Sequence, residues 1–271
     1  LDTSSEESKE AFRKSHPDFL RRIEQLRDRT LANPQLTPLI REKYKIKNVT
    51  GLTILPFVEY TDPFDIITHL IVGSEGTLAF LSECVFHTGI DYHESASALL
   101  LFPTTKQACE TVTRLKHSQT LSAAEYFDRK AMRVIEDDFP ELRDLPDDAG
   151  AVLIKIEAPT IEELNERIRL AAQAGGFETT KFTRDTDLCN KYWSMRAGIF
   201  PAVGATRPAG TTCLIEDIAF PIDFLADATL DLQRLFREHH YPDAVIYGHA
   251  LEGNYHFILN QSFKSKSEVD R

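Results

Sequence analysis

The chain has 271 residues, 42% hydrophobic and 27% charged, which is enough to bury the core of one large domain or of two ordinary ones. Its formal net charge of −11 at pH 7 repels phosphate backbones and anionic lipid, so nucleic acid and membrane surfaces are excluded as default partners. No apolar run approaches the roughly 20 residues of a transmembrane segment, and we expect a cytoplasmic protein that is at most peripheral to the inner membrane.

The first part of the chain combines a charged helical pattern with two short apolar runs. Residues 4–32 have the apolar spacing of an amphipathic helix, broken near Pro17. Residues 52–58 and 69–80 are apolar runs punctuated by glycine, which predicts strands with a tight turn between them. The chain begins with Leu1 inside a helical pattern, which indicates a piece of a longer protein.

From residue 97 the pattern becomes a regular alternation of strands and helices. Strand, helix, strand, repeated twice, is the split arrangement of a ferredoxin-like antiparallel sheet with helices on one face. The predicted elements are a strand Ser97–Pro103, a helix Thr105–His117, a strand Ala123–Phe127, a strand Ala151–Ala158, a helix Ile161–Ala174 and a strand Glu178–Thr183. Thr160 is placed to cap the second helix, and Gly175-Gly176 to end it.

The last part of the chain is less regular at first. The predicted elements are an irregular segment Asp185–Gly210, a strand Cys213–Phe220, a helix Phe224–His239 and a strand pair Val245–Tyr247 and Tyr255–Leu259. The fold class is therefore α+β, with a domain boundary near residue 90.

The strongest local signal is the segment Gly248-His-Ala-Leu-Glu-Gly-Asn-Tyr-His256. Its two histidines flank a turn at Gly253-Asn254, so a β-hairpin would bring His249 and His256 together at its mouth. Neutral imidazoles bind zinc, manganese or iron, and one of them could instead act as a general base. Two ligands make an incomplete metal site, and a turn with hydrogen-bonded histidines is an equal alternative.

A second signal is Gly73-Ser74-Glu75-Gly76-Thr77, where glycines on both sides of Ser-Glu allow close approach of the backbone to a ligand. Free amides and the two hydroxyl groups could meet a phosphate. The alternative is a glycine-rich turn with no ligand.

A third signal is Trp193-Ser-Met-Arg196, which offers a two-pronged donor for a substrate carboxylate. An arginine in an ordinary salt bridge is the alternative, and Arg207 is a lesser candidate for the same task. Glu216 and Asp217 are adjacent on a predicted strand and therefore point to opposite faces, so one of them faces a cavity or both lie at a surface edge. Glu125 poses the same question on another strand.

Several common sites are missing from the sequence. There is no G-x-S-x-G, H-E-x-x-H, P-loop or G-x-G-x-x-G pattern, which counts against serine hydrolase, nucleotide and nicotinamide chemistry. The four cysteines form no C-x-x-C pair, so we expect reduced structural thiols and neither a zinc site nor an iron–sulfur cluster on them.

Together and in order, these motifs resemble the FAD-linked oxidase family related to vanillyl-alcohol oxidase, in its D-lactate, glycolate and D-2-hydroxyglutarate dehydrogenase branch. The similarity extends over the segments Lys43–Asn48, Gly73–Leu78, Ala124-Glu125, Trp193–Arg196, Glu216–Pro221 and Gly248–His256. It resembles in particular long bacterial proteins in which the flavin module is joined to a downstream iron–sulfur module.

The resemblance implies a division of the chain and roles for its residues. Residues 1–90 would be the C-terminal portion of an FAD-binding domain, and residues 91–271 a ferredoxin-like substrate-binding cap, truncated at its C-terminus. Residues 73–77 would line FAD, Arg196 would hold the substrate carboxylate, and His249 and His256 would bind a divalent ion, zinc or manganese, beside the substrate hydroxyl. The enzyme would oxidise a small D-2-hydroxy acid by hydride transfer to flavin. Electrons would pass to a quinone, a cytochrome or an iron–sulfur partner.

The sequence departs from the family pattern in places. The pyrophosphate-binding loop is not in the chain, and a Glu-His-Gly segment would lie beyond Arg271. Glu252 replaces the usual Asp of the Gly-Asp-Gly-Asn turn, and Ala79-Phe80 replaces Gly-Ile. We therefore expect this piece alone to be inactive. Two other functions compete, a non-catalytic ferredoxin-like binding module and a metal-dependent hydrolase built on the two histidines.

Overall fold

The computed structural model describes residues 1–270, which divide between Thr88 and Gly89 into two compact units. The first unit is helical. Its helices are α1 (Glu6–Ser15), α2 (Pro17–Ala32), α3 (Leu36–Lys43), α4 (Pro56–Glu59) and α5 (Pro63–Leu70). The predicted break near Pro17 is confirmed, since α1 ends at Ser15 and Pro17 starts α2, where a missing amide proton is tolerated. Ile23 of α2 packs with Phe57 and Ile66 in a small core.

The prediction of two strands at residues 52–58 and 69–80 is wrong, because the described residues there form helices α4 and α5 and turns. Pro56 and Pro63 occupy first-turn helix positions, and the Asp62 carboxylate accepts from the Phe64 amide at 2.7 Å as an N-cap. Apolar runs this short do not distinguish a buried helix from a buried strand, and here the proline and cap signals decide the outcome. The predicted tight turn is present at Gly73–Gly76.

The second unit is a six-stranded antiparallel sheet with helices on both faces. The strands are β1 (Glu94–Phe102), β2 (Ala123–Asp128), β3 (Gly150–Ala158), β4 (Thr212–Ala219), β5 (Val245–His249) and β6 (Asn254–Gln261). The helices are α6 (Thr105–Ser118), α7 (Arg129–Arg133), α8 (Ile161–Gly175), α9 (Thr186–Thr206), α10 (Leu225–Glu238) and α11 (Lys266–Asp270). The strand order is β1-β3-β2-β5-β6-β4, which confirms the α+β class and the antiparallel sheet.

Alternating side chains of the strands build two cores, one on each face of the sheet. On β3, Val152 and Ile154 join the core beneath α6, α8 and α10, while Ala151 and Leu153 join the core beneath α7 and α9. The sheet is therefore buried on both sides at its centre, and the prediction of helices on one face is wrong, because α7 and α9 cover the second face. Among residues 1–270, every helix is too short or too polar to cross a membrane.

Two predicted segments of this unit differ in the structure. Residues 178–183 were expected as a strand, but they form a 3₁₀ turn at Thr179–Lys181 and a single bridge in which Thr183 exchanges backbone hydrogen bonds with Ser97 of β1. This bridge lies beside β1, at the edge where the fourth strand of a ferredoxin-like sheet belongs. The expected strand is thus reduced to one contact.

The segment Asp185–Gly210, predicted to be irregular, is mostly the 21-residue helix α9. The Asp185 carboxylate caps it by accepting from the Leu188 amide at 2.8 Å. Pro201 inside the helix removes one backbone hydrogen bond and signals a break, but Met195 and Ile199 are fully buried against the sheet. Tertiary packing therefore outweighs the local signal.

Candidate active site

Two cross-strand pairs build the site on the sheet face that α9 covers. His249 on β5 lies directly opposite Glu125 on β2, and His256 on β6 lies directly opposite Asp217 on β4. Directly paired residues of antiparallel strands project from the same face about 5 Å apart. The register therefore gives each histidine a carboxylate partner, and β5 and β6 are adjacent, so the two pairs are neighbours.

His249 has a charged partner at each ring nitrogen. Its Nδ1 lies 2.9 Å from Oε1 of Glu125, and its Nε2 lies 2.8 Å from Nη2 of Arg196, which α9 supplies. Because a guanidinium only donates, Nε2 is the acceptor, and the proton of the neutral ring is on Nδ1, which faces the Glu125 carboxylate. This network fixes one neutral tautomer of the imidazole.

Glu125 contacts Arg196 as well. Its side chain is only 5% exposed, and its Oε2 lies 3.3 Å from Nε of Arg196. Arg196 is 38% exposed, with its Nε and Nη2 edge directed at Glu125 and His249. Within residues 1–270, no side chain or carbonyl bonds its Nη1. That end of the guanidinium can receive a planar anion such as a carboxylate.

Asp217 holds His256 through its Nδ1 atom. The other ring nitrogen, Nε2, carries the lone pair and does not contact Asp217. The rings of His249 and His256 have centroids 5.5 Å apart and an interplanar angle of 68°. Gly248 has φ +138°, and a Cβ there would come within 3.1 Å of the His256 backbone nitrogen and 3.2 Å of the ring atom Cδ2. The absence of a side chain at residue 248 thus gives the His256 ring its space.

A tyrosine completes the wall of the site. The Tyr247 ring lies 5.4 Å from the His256 ring, and the two residues are paired across β5 and β6. Burial raises the pKa of Tyr247, so its phenol stays protonated at neutral pH. It therefore offers a neutral donor beside His256.

Only one of the two imidazoles could offer a lone pair to a metal ion in this arrangement. His256 is bonded to Asp217 through Nδ1, which leaves its Nε2 for a ligand, whereas Nε2 of His249 already accepts from Arg196. In the described part of the chain, however, no group of three histidine, cysteine or acidic side chains is arranged to hold a metal. A complete metal centre here would need a further ligand.

The structure also locates the other candidates from the sequence. Of the adjacent acids, Asp217 faces the histidines and Glu216 is exposed. Arg207 lies at the end of α9 and donates to the carbonyl of Thr211 at 3.2 Å, away from the histidine pairs.

The glycine-rich segment 73–77 lies in the first unit and forms consecutive turns. The Ser74 amide donates to the carbonyl of Ile71 at 3.0 Å, and the Thr77 amide donates to that of Ser74 at 2.9 Å. Gly73 and Gly76 have φ of +79° and +77°, while Glu75, Gly76 and Thr77 are exposed at the surface. The Ser74 and Thr77 amides and the Thr77 hydroxyl are thus used inside the turns, and a contact of residues 73–77 with a cofactor stays a prediction.

The carboxylate partners are the part of the site that motif analysis did not assign. From the sequence, Glu125 and Asp217 are acids of unassigned orientation, without a link to any histidine. Hydrophobic alternation around each of them indicates a strand, and an acid inside such a run is the available signal of a buried pair. Pairing them with particular histidines requires the strand order.

Comparison with known proteins places this geometry in a family. Residues 93–271 match the family described as FAD linked oxidases, C-terminal domain. The glycolate oxidase subunit GlcD of Bacillus subtilis (strain 168) is 25% identical over 209 residues, which are 76% of this chain and 43% of that protein. The mitochondrial D-lactate dehydrogenase [cytochrome] of Arabidopsis thaliana is 25% identical over 214 residues, 76% of this chain and 35% of that protein.

A solved structure supports the same assignment at the level of the fold. An alkyldihydroxyacetonephosphate synthase superposes with a TM-score of 0.53 at 14% identity, covering 74% of this chain and 43% of the synthase. The chain spans less than half the length of the curated relatives named above. Since the family match covers well over half of its residues, the chain belongs to the FAD-linked oxidase family.

Proposed function

We propose that this chain is part of an FAD-dependent oxidoreductase that oxidises a D-2-hydroxy acid by hydride transfer to the flavin. The observation that carries the proposal is the meeting of a guanidinium with an open Nη1 end and two oriented imidazoles on one sheet face. A 2-hydroxy acid presents a carboxylate and a hydroxyl on neighbouring carbons, which these two kinds of group suit. Relatives named as glycolate oxidase and D-lactate dehydrogenase agree with this substrate class.

Each side chain has a separate task in the proposal. Arg196 binds the carboxylate through its Nη1 end and so orients the substrate. His256, held by Asp217, presents Nε2 to the hydroxyl and accepts its proton. In the alternative with a zinc or manganese ion, which would lower the hydroxyl pKa, His256 Nε2 would be a ligand instead of the base, and His249 would be the second ligand once Arg196 released its Nε2. Residues 73–77 would contact FAD, and FAD when bound accepts the hydride from the substrate carbon.

A non-catalytic binding module and a metal-dependent hydrolase remain as alternatives. The hydrolase requires a third ligand within the chain, and residues 1–270 contain no such three-ligand group. Metal analysis of the purified chain separates the two enzymatic functions: one tightly held ion per chain would favour the hydrolase, and a visible flavin absorbance band in the intact protein would exclude both alternatives. The electron acceptor (quinone, cytochrome or iron–sulfur partner) and the cytoplasmic location stay predictions.

Substitution of Arg196 tests the proposed function most directly. In the flavin-loaded enzyme, R196A removes a charge-assisted contact to the substrate carboxylate, and such contacts contribute about 1.5–3 kcal/mol. We expect KM for D-lactate or D-2-hydroxyglutarate to rise about 10- to 100-fold. R207A is the matched control, because Arg207 is another arginine of the same segment, bonded to a backbone carbonyl outside the site. Unchanged kinetics in R196A would remove the assignment, and a raised KM in R207A alone would transfer it to Arg207.

A further inference from the structure

We infer that Glu125 is a positioning residue of the reaction, which holds Arg196 with its Nη1 end open to the substrate and keeps His249 in one tautomer. The inference rests on the proposed function and extends it to a residue that touches neither the substrate nor the cofactor. It is carried by the contacts of a single buried carboxylate.

The two oxygens of Glu125 serve two different partners. Oε1 lies 2.9 Å from His249 Nδ1, and Oε2 lies 3.3 Å from Arg196 Nε. Both atoms are buried, and within residues 1–270 neither has a hydrogen-bonding partner, so their contact is an ion pair without a hydrogen bond. A buried charge without a partner is strongly unfavourable, so each of these two atoms depends on the other.

The surroundings of Glu125 allow it little freedom. It lies on the central strand β2, directly opposite Leu153 of β3 on one side and His249 of β5 on the other. Its side chain is 5% exposed. A carboxylate on a central strand is held by backbone pairing on both sides, which makes it a rigid anchor for a long and flexible arginine.

The geometry has a consequence for each partner. The Glu125 carboxylate contacts the Nε edge of the Arg196 guanidinium and keeps it from rotating, so the Nη1 end stays available. For His249, the carboxylate keeps the proton on Nδ1, so Nε2 remains an acceptor. Loss of the carboxylate should therefore weaken substrate binding and disturb the imidazole at the same time. A residue that only stabilised the fold would do neither.

The experiment combines kinetics with a direct view of the imidazole. E125Q keeps the size of the side chain and removes its charge, while E125D keeps the charge on a shorter side chain. The matched control is E157Q. Glu157 is also on an interior strand of the sheet, β3, but it forms an ion pair with Lys155 away from the histidines. In the flavin-loaded enzyme we expect E125Q to raise KM and lower kcat together, with kcat/KM falling about 10- to 100-fold. E125D should recover part of that loss, and E157Q should match the wild type.

The second measurement does not depend on catalysis. Long-range ¹H–¹⁵N NMR spectra of the 271-residue chain report which nitrogen of His249 carries the proton, with H249Q used for assignment. We expect the Nδ1-protonated form in the wild type and in E157Q, and an added Nε2-protonated form in E125Q.

The outcomes separate the two proposals. If the wild-type enzyme oxidises no 2-hydroxy acid, the proposed function fails, while the NMR result still decides whether Glu125 sets the tautomer. If E125Q has wild-type kinetics, or if its His249 spectrum equals that of the wild type, Glu125 is not a positioning residue. A loss of thermal stability in E125Q with unchanged KM and kcat would likewise overturn the inference in favour of a structural role.

Discussion

Asp128 should make the stability of the fold depend on pH. It is the last residue of β2 and caps α7, where its Oδ1 accepts from the Ala131 amide at 2.7 Å. Burial raises its pKa from 3.8 to about 7, although backbone amides of Ala131 and Ile246 oppose this rise. Because the folded-state pKa lies above the unfolded one, the stabilising effect is complete below about pH 4 and is lost as the pH rises through 7.

The size of the effect follows from the two pKa values. A difference of about 3 units at 1.36 kcal/mol per unit gives about 4 kcal/mol between pH 4 and pH 8.5. D128N has no charge to bury at any pH and keeps an oxygen that can accept from the Ala131 amide. Relative to the wild type, the free energy of unfolding of D128N should therefore increase by up to about 4 kcal/mol as the pH rises over this range.

Urea unfolding followed by circular dichroism at several pH values between 4 and 8.5 measures this difference. Subtracting the free energy of unfolding of the wild type from that of D128N at each pH cancels the contributions of the other titrating groups. D147N is the control, because the Asp147 side chain is 91% exposed. Parallel stability curves for D128N and the wild type would refute the reasoning, since they would mean that the carboxyl group ionises at the same pH in both states.

Three further changes test the core and the site. Ile154→Ala should lower the free energy of unfolding by about 2–5 kcal/mol in urea titrations, because this fully buried side chain would leave a cavity. Gly248→Ala should lower the free energy of unfolding by about 1–3 kcal/mol in the same assay. It should also shift the NMR signals of His256, because the added Cβ comes within 3.1 Å of that residue. Unshifted signals would contradict the close packing. Asp217→Asn should lower kcat/KM by about 10- to 100-fold, because the partner of the His256 Nδ1 proton loses its charge; steady-state kinetics with Glu216→Asn as control measure this.

The elements that sequence analysis predicts well are those whose signals are local. Helices α6 and α8 begin where Thr104 and Thr160 accept from the Gln107 and Glu163 amides, and β3 shows a continuous apolar run. Caps and apolar periodicity are visible within a few residues, so they can be recognised without the rest of the chain. Helix α9 was missed because Pro201 is a local signal against a helix, whereas the burial that stabilises it comes from a distant sheet.

The candidate site likewise contains residues that local motifs identify and residues whose contacts depend on the pairing of distant strands. The two histidines and Arg196 stand in short recognisable motifs, so they could be proposed from the sequence. The contacts of Glu125 depend on β2 pairing with β5, and those of Asp217 on β4 pairing with β6. A register shift of one residue would turn each acid to the other face, and no local pattern fixes the register between strands so far apart in the chain.

The departure from the family pattern at Glu252 can be understood from this architecture. Glu252 lies in the short turn Ala250–Glu252 between β5 and β6, and its Oε1 accepts from Lys116 of α6 at 3.0 Å. Helix α6 packs on the core opposite to the one that Tyr247 and α9 share. The histidines are held instead by strand pairing and by their own carboxylates. The identity of residue 252 therefore affects how the turn is attached to α6, while the positions of the two imidazoles are set by the register of the sheet.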